Sequence, residues 1–146
     1  MYRSLCVIRF TFLMFLAHCV PTNAAPPKLV VVQLLNGRNG KPLANVRVYV
    51  SFDDHKGRKS LDLISNGRGE IEFDASGAGT FQVHPIALVP CGEQYIGNPD
   101  RNYAIDEVLG PGILTKNDCG HLESEPLRGR LLYFARRATW WELFRN

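Results

Sequence analysis

The segment VRVYV, Val46–Val50, decides the fold. Its three valines alternate with Arg47 and Tyr49, so an extended chain turns Val46, Val48 and Val50 to one side. That is the pattern of a strand with one buried face. Upstream, Leu29–Leu35 (LVVVQLL) is a β-branched run of the kind that fills a buried strand, and Asn36–Pro42 (NGRNGKP) is dense in turn formers. Downstream, Asp53–Lys59 reads as a charged loop. Leu61 and Leu63 mark a short strand closed by Asn66-Gly67-Arg68-Gly69. Glu70–Asp74 alternates again, Ser76–Gly79 turns, and Phe81–His84 begins another strand. Short alternating strands with turn signals every 8–12 residues predict an all-β, antiparallel Ig-like or prealbumin-like sandwich.

From Val89 the texture changes. Cys91–Asp118 carries Gly-Asn-Pro-Asp and Gly-Pro-Gly punctuation and is too long for an ordinary loop. A further strand or helical turn is expected over Ala104–Leu109. Gly129–Ala135 (GRLLYFA) is expected to be a final core strand. Arg136 and Arg137 then lead into Thr139–Phe144, where Thr139 and Glu142 match a helix capping box. Trp140, Leu143 and Phe144 share one face of such a helix. That face is expected to pack on the sheet, leaving Trp141 pointing away.

The first 24 residues read as a cleavable signal peptide. Arg3 and Arg9 form a basic region without acids, Phe10–Ala17 is apolar apart from Thr11, and Thr22-Asn23-Ala24 supplies small residues before the cut. The apolar core is far shorter than the roughly 20 residues of a membrane span. Cys19 follows His18, where lipidation calls for a small residue, so ordinary cleavage is favoured over a lipoprotein. The mature chain is then 25–146, one domain of 122 residues (146 less 24), secreted or periplasmic, with no stable membrane insertion. The full chain has 17 basic and 14 acidic residues; loss of Arg3 and Arg9 leaves 15 against 14. That near balance, with no clustered basic stripe, argues against a nucleic-acid partner.

Cys6 and Cys19 leave with the leader, so Cys91 and Cys119 remain. In an oxidising compartment such a pair is expected to form a disulfide. Closing 28 positions stabilises by about 3.6 kcal/mol in the chain-entropy model. Zinc would need four ligands at close spacing, and His121 is the only nearby addition. No C-x-x-C motif offers redox chemistry.

Catalytic motifs are missing from the sequence: no G-x-S-x-G, H-E-x-x-H or Gly-rich phosphate loop occurs. Asp53, Asp54 and His55 lack the spacing of a calcium loop. Asp106 and Glu107 are adjacent and would face opposite sides of a strand. Neither cofactor nor metal is expected, and no enzymatic activity.

Gly40-Lys41-Pro42-Leu43-Ala44-Asn45-Val46-Arg47-Val48, followed by Ser65-Asn66-Gly67-Arg68-Gly69-Glu70-Ile71, resembles the carboxypeptidase regulatory-like domain. That family shows G-x-P-L-x-x-V-x-V and then T-D-x-x-G-x-F on a prealbumin-like (transthyretin-like) sandwich. Here Ser65-Asn66 stands for Thr-Asp, and Ile71 for the aromatic. The resemblance covers roughly Leu29–Leu88, and the remainder is similar to short secreted bacterial proteins carrying this domain alone. It implies an accessory module without chemistry of its own. A hydrolase of the same fold acts on 5-hydroxyisourate and ends Tyr-Arg-Gly-Ser; this chain ends Leu143-Phe144-Arg145-Asn146. Related sandwiches bind glycans through exposed aromatics.

Three functions therefore compete. The first is a secreted, non-enzymatic accessory or interaction domain meeting a protein or glycan at the cell surface. The second is a carbohydrate-binding module using Trp141, Tyr95 or Tyr103. The third is a small hydrolase built on His84 or His121.

Overall fold

The structure is a computed structural model, and it describes residues 26–54, 56–92 and 101–143. Residues 1–24, His55, Tyr95 and Phe144, on which expectations were placed, lie outside the described residues, as does the side chain of Leu143.

Two sheets share one hydrophobic cluster. The first has the order β4-β1-β9-β6, from Glu70–Asp74, Leu29–Asn36, Arg130–Arg137 and Leu88–Pro90, with β8 (Ile113–Leu114) also on β9. The second runs β3-β2-β5-β7, from Gly57–Ile64, Arg47–Asp54, Thr80–Pro85 and Tyr103–Ala104. Two short helices complete the chain, α1 (Ile105–Leu109) and α2 (Trp140–Leu143).

Alternation places the core. Val48, Val50 and Phe52 of β2 are buried, as are Val30, Val32 and Leu34 of β1, Ile71 and Phe73 of β4, and Phe81 and Val83 of β5. The rings of Phe52, Phe73, Phe81 and Tyr103 follow one another through this core, with centroids 5.3–5.9 Å apart. Phe73 and Phe81 meet edge to face, a favourable arrangement for aromatic quadrupoles, while Phe52 stacks on Phe73. Ile105 and Val108 of α1 close the cluster.

Most pairings are antiparallel, but β1–β9 and β8–β9 are parallel. An entirely antiparallel arrangement is therefore corrected at the centre of the first sheet. From Leu131 to Ala135, β9 is continuously apolar because it is covered on both faces. Leu131, Tyr133 and Ala135 face the shared core, while Leu132 and Phe134 are buried outside that cluster. The segment containing the two cysteines runs along this side of the strand: Thr115 N donates to Leu132 O, Thr115 Oγ1 accepts from Phe134 N at 2.9 Å, and Cys91 N donates to Phe134 O.

The charged stretch Asp53–Lys59 is largely strand. β2 runs to Asp54 and β3 starts at Gly57, with Lys59 paired to Asp54 at 2.5 Å. As the edge strand of its sheet, β3 can keep charged residues in solvent while its backbone pairs with β2. The expectation for Ala104–Leu109 resolves into both alternatives, a two-residue strand followed by one helical turn. Asp106 and Glu107 thus sit exposed in the first turn of α1, and Asp106 pairs with Lys28 at 3.1 Å.

The turn before β4 shows why its residues are needed. Buried Ser65 donates its hydroxyl to Leu43 O at 2.7 Å and accepts from Val46 N at 2.9 Å. Asn66 Oδ1 accepts from Arg68 N and Glu70 N, closing the turn. Gly69 has φ +71°, and a Cβ there would meet Leu34 O at 2.5 Å, so only glycine fits.

Candidate functional site

The disulfide between Cys91 and Cys119 is formed, with Cα atoms 5.1 Å apart. It lies against the turn that follows β1. Gly37 is buried there, and a Cβ at this position would fall 2.4 Å from Asn117 Oδ1 and 2.6 Å from Cys91 Sγ. Asn117 Nδ2 donates to Gly37 O at 2.9 Å, Gly37 N donates to Ala135 O at 3.0 Å, and Asp118 N donates to Cys91 O at 2.6 Å. Gly120 packs from the other side, since its Cβ would come 3.1 Å from Arg38 Cα. The staple therefore presses on the backbone that carries Arg38, and its consequence reaches the surface.

That surface holds a cavity of about 220 Å³, lined by Asn36, Arg38, Arg136, Arg137 and Thr139. Its walls follow from the parallel pairing of β1 and β9. Asn36 is in register with Ala135, so the turn after β1 brings Arg38 beside the end of β9, where Arg136 and Arg137 still pair with β6. Arg38 N is held by Asn36 Oδ1 at 2.9 Å. Arg136 is neutralised by Glu142, with Nη1–Oε2 2.8 Å and Nη2–Oε1 2.5 Å. Glu142 also accepts from Thr139 N and from the Thr139 hydroxyl, both at 2.8 Å. Hydrogen bonds from Arg136 and then Thr139 hold the Glu142 carboxyl far below the usual range. Among the described residues no carboxylate pairs with Arg38 or Arg137; Arg137 Nη2 reaches only Ala44 O, at 3.4 Å. Among the described residues the cavity lining keeps an excess of positive charge.

Trp140 and Trp141 begin one residue beyond Thr139. The capping box expected at Thr139 and Glu142 is present in its Glu-to-Thr half, but the expected burial of Trp140 is corrected: Trp140 is 56% exposed and Trp141 66%. Their ring centroids lie 3.4 Å apart with planes tilted by 31°. Shared helical spacing decides which side chains point together, not whether a neighbour waits for them. Here the Arg136–Glu142 pair ties α2 to the end of β9.

Tyr103 is also corrected as a contact residue. It is 3% exposed, because β7 pairs Tyr103 with Phe81, and cross-strand partners share a face. His84 lies half-buried on the outer face of β5, opposite Tyr49, while His121 is exposed in the stapled segment. Neither lines the arginine cavity. A second concavity, between Ser51, Asp53, Arg58, Thr80, Gln82 and Asn102, offers about 30 Å³, room for little more than water. No group of three or more His, Cys, Asp or Glu able to hold a metal occurs among the described residues. Nor, among them, is any helix long and apolar enough to cross a membrane.

Sequence reasoning passed over Asn36 and Arg38 as turn residues and Arg136 and Arg137 as a lead-in to the tail. A shared signal exists: each pair closes a strongly apolar strand. Only the parallel pairing shows that the two strand ends are neighbours. Comparison with family models, curated proteins and solved structures finds no match to this chain.

Proposed function

We propose that this chain is an exported, non-catalytic binding domain, a prealbumin-like sandwich of the carboxypeptidase regulatory-like type. It meets its partner through the arginine cavity and the adjoining tryptophans. The observation that carries this reading is the grouping of Arg38, on a buttressed turn, with Arg137 and an exposed aromatic pair, neither arginine having a carboxylate partner among the described residues. Exposed Trp beside Arg is the composition of binding hot spots, since both bury large contact areas on association.

Export is supported by the disulfide, which suits an oxidising compartment. The regulatory-like family is supported by the roles of Ser65, Asn66 and Gly69, each of which serves the turn where the family motif places Thr, Asp and Gly. A non-catalytic role is supported by the engagement of carboxylates in structural pairs, Asp62 with Arg47, Asp54 with Lys59 and Glu70 with Arg130.

Fluorescently labelled protein should bind surface material from the cells that produce it, and Arg38→Ala and Trp141→Ala should each lose that binding with an unchanged circular dichroism spectrum. Undiminished binding by both variants would place the contact elsewhere.

A further inference from the structure

Resting on that reading of the site, we infer that the cavity takes the carboxylate of an acidic saccharide, a sugar acid at a chain end or along a polyuronate. The argument begins with charge. Arg38 and Arg137 flank a concave space without a carboxylate partner, and guanidinium groups offer planar donor edges matched to a planar oxyanion. Arg136 contributes shape more than charge, because Glu142 already occupies its Nη1 and Nη2.

Size narrows the ligand. At about 220 Å³ the cavity lies below the range of roughly 300–1,000 Å³ that encloses drug-sized molecules, so it suits a single ring or end group. Its remaining wall is neutral and polar. The Asn36 side-chain oxygen is used by Arg38 N, which leaves the amide nitrogen to donate; Thr139 gives its hydroxyl proton to Glu142 and keeps oxygen lone pairs to accept. A sugar ring supplies both complements in its hydroxyls. Beyond Thr139 the exposed indoles offer an apolar surface to the C–H face of a neighbouring ring.

These features favour a saccharide over the other anionic partners. An anionic membrane needs no cavity. An acidic peptide would satisfy the arginines but leaves the hydroxyl-matching wall without a role. With mature charge close to balance, attraction is local to this end, and affinity should fall as salt rises.

The test titrates the full disulfide-bonded protein with oligogalacturonate, read by calorimetry and tryptophan fluorescence. The parallel arms use the methyl-esterified oligosaccharide, vesicles of phosphatidylglycerol in phosphatidylcholine, and a poly-glutamate peptide. Saturable binding of the free acid is expected. Since hydrogen bonds to charged groups contribute about 1.5–3 kcal/mol, methyl esterification, Arg38→Ala and Arg137→Ala should each weaken it by roughly tenfold or more. Arg38→Glu should abolish it. Equal affinity for the ester, or wild-type binding by the arginine variants, would overturn the carboxylate assignment. Tighter binding of vesicles or peptide than of the saccharide would overturn the ligand class. No binding of the oligosaccharide, with Arg38→Ala still losing the cell-surface material, would end this inference alone. Undiminished binding of that material by Arg38→Ala and Trp141→Ala would end the reading of the site as well.

Discussion

The knot around Gly37 and the tail from Thr139 to Leu143 both adjoin the same cavity and are held by different means. At Gly37, backbone, disulfide and Asn117 are packed so closely that a methyl group has no room. In the tail, a capping contact and the Arg136–Glu142 ion pair tie down a four-residue helix whose two indoles are more than half exposed. A single turn of helix has little stability of its own, because nucleation fixes several residues for few hydrogen bonds. The difference teaches that the site has a rigid wall and an adjustable one. Arg38 is delivered by packing, whereas the tryptophans are delivered by charge.

The contrast can be broken most strongly at the disulfide. Replacing Cys91 and Cys119 with alanine should cost about 3.6 kcal/mol in the chain-entropy model, read by urea unfolding, and should also weaken binding at the cavity by freeing the Arg38 turn. Unchanged stability on reduction would mean that packing alone holds the knot. A smaller effect is expected from Gly37→Ala, where the added carbon must displace Asn117 and the sulfur; overpacking of this kind costs roughly 1–3 kcal/mol. A loss below a few tenths would show that the Asn117 side chain simply turns aside.

The tail should answer differently. Trp140→Ala and Trp141→Ala should each stay within about 0.5 kcal/mol of the parent in unfolding, as exposed substitutions do. A large loss in Trp140→Ala would restore the buried role that helical spacing suggested. The smallest effect on global stability should come from acid. Glu142 has its pKa lowered in the folded state, so its contribution is complete above the usual glutamate range and is lost as pH falls through and below it. Tryptophan fluorescence should therefore report release of α2 on acidification before the sheets unfold. Glu142→Gln should show the released signal already at neutral pH; a pH-independent signal identical in both proteins would mean that the ion pair does not position the tail.

Much of this chain can be read without its fold. Alternation at Val46–Val50 and Glu70–Asp74 marks strands whose valine, isoleucine and phenylalanine positions are the buried ones, because a pleated backbone leaves no other choice of face. The cysteine pair follows from count and expected compartment, and it is linked. Even the turn at Asn66–Gly69 follows from local chemistry, since asparagine and glycine act there on their own backbone neighbours.

Tertiary structure decided what depends on partners distant in sequence. Tyr103 has a half-exposed or a buried future depending on the strand it meets, and pairing with Phe81 turned it inward. Trp140 shares a face with apolar neighbours in sequence, yet in the fold it is 56% exposed. The parallel alignment of β1 with β9 joins residues about one hundred positions apart, and uniformly apolar strands carry no mark of direction or neighbour. That pairing brings Asn36 and Arg38 beside Arg136, Arg137 and Thr139. Local pattern sets the face on which a residue lies, but a site made from two strand ends exists only once the sheet has chosen its order.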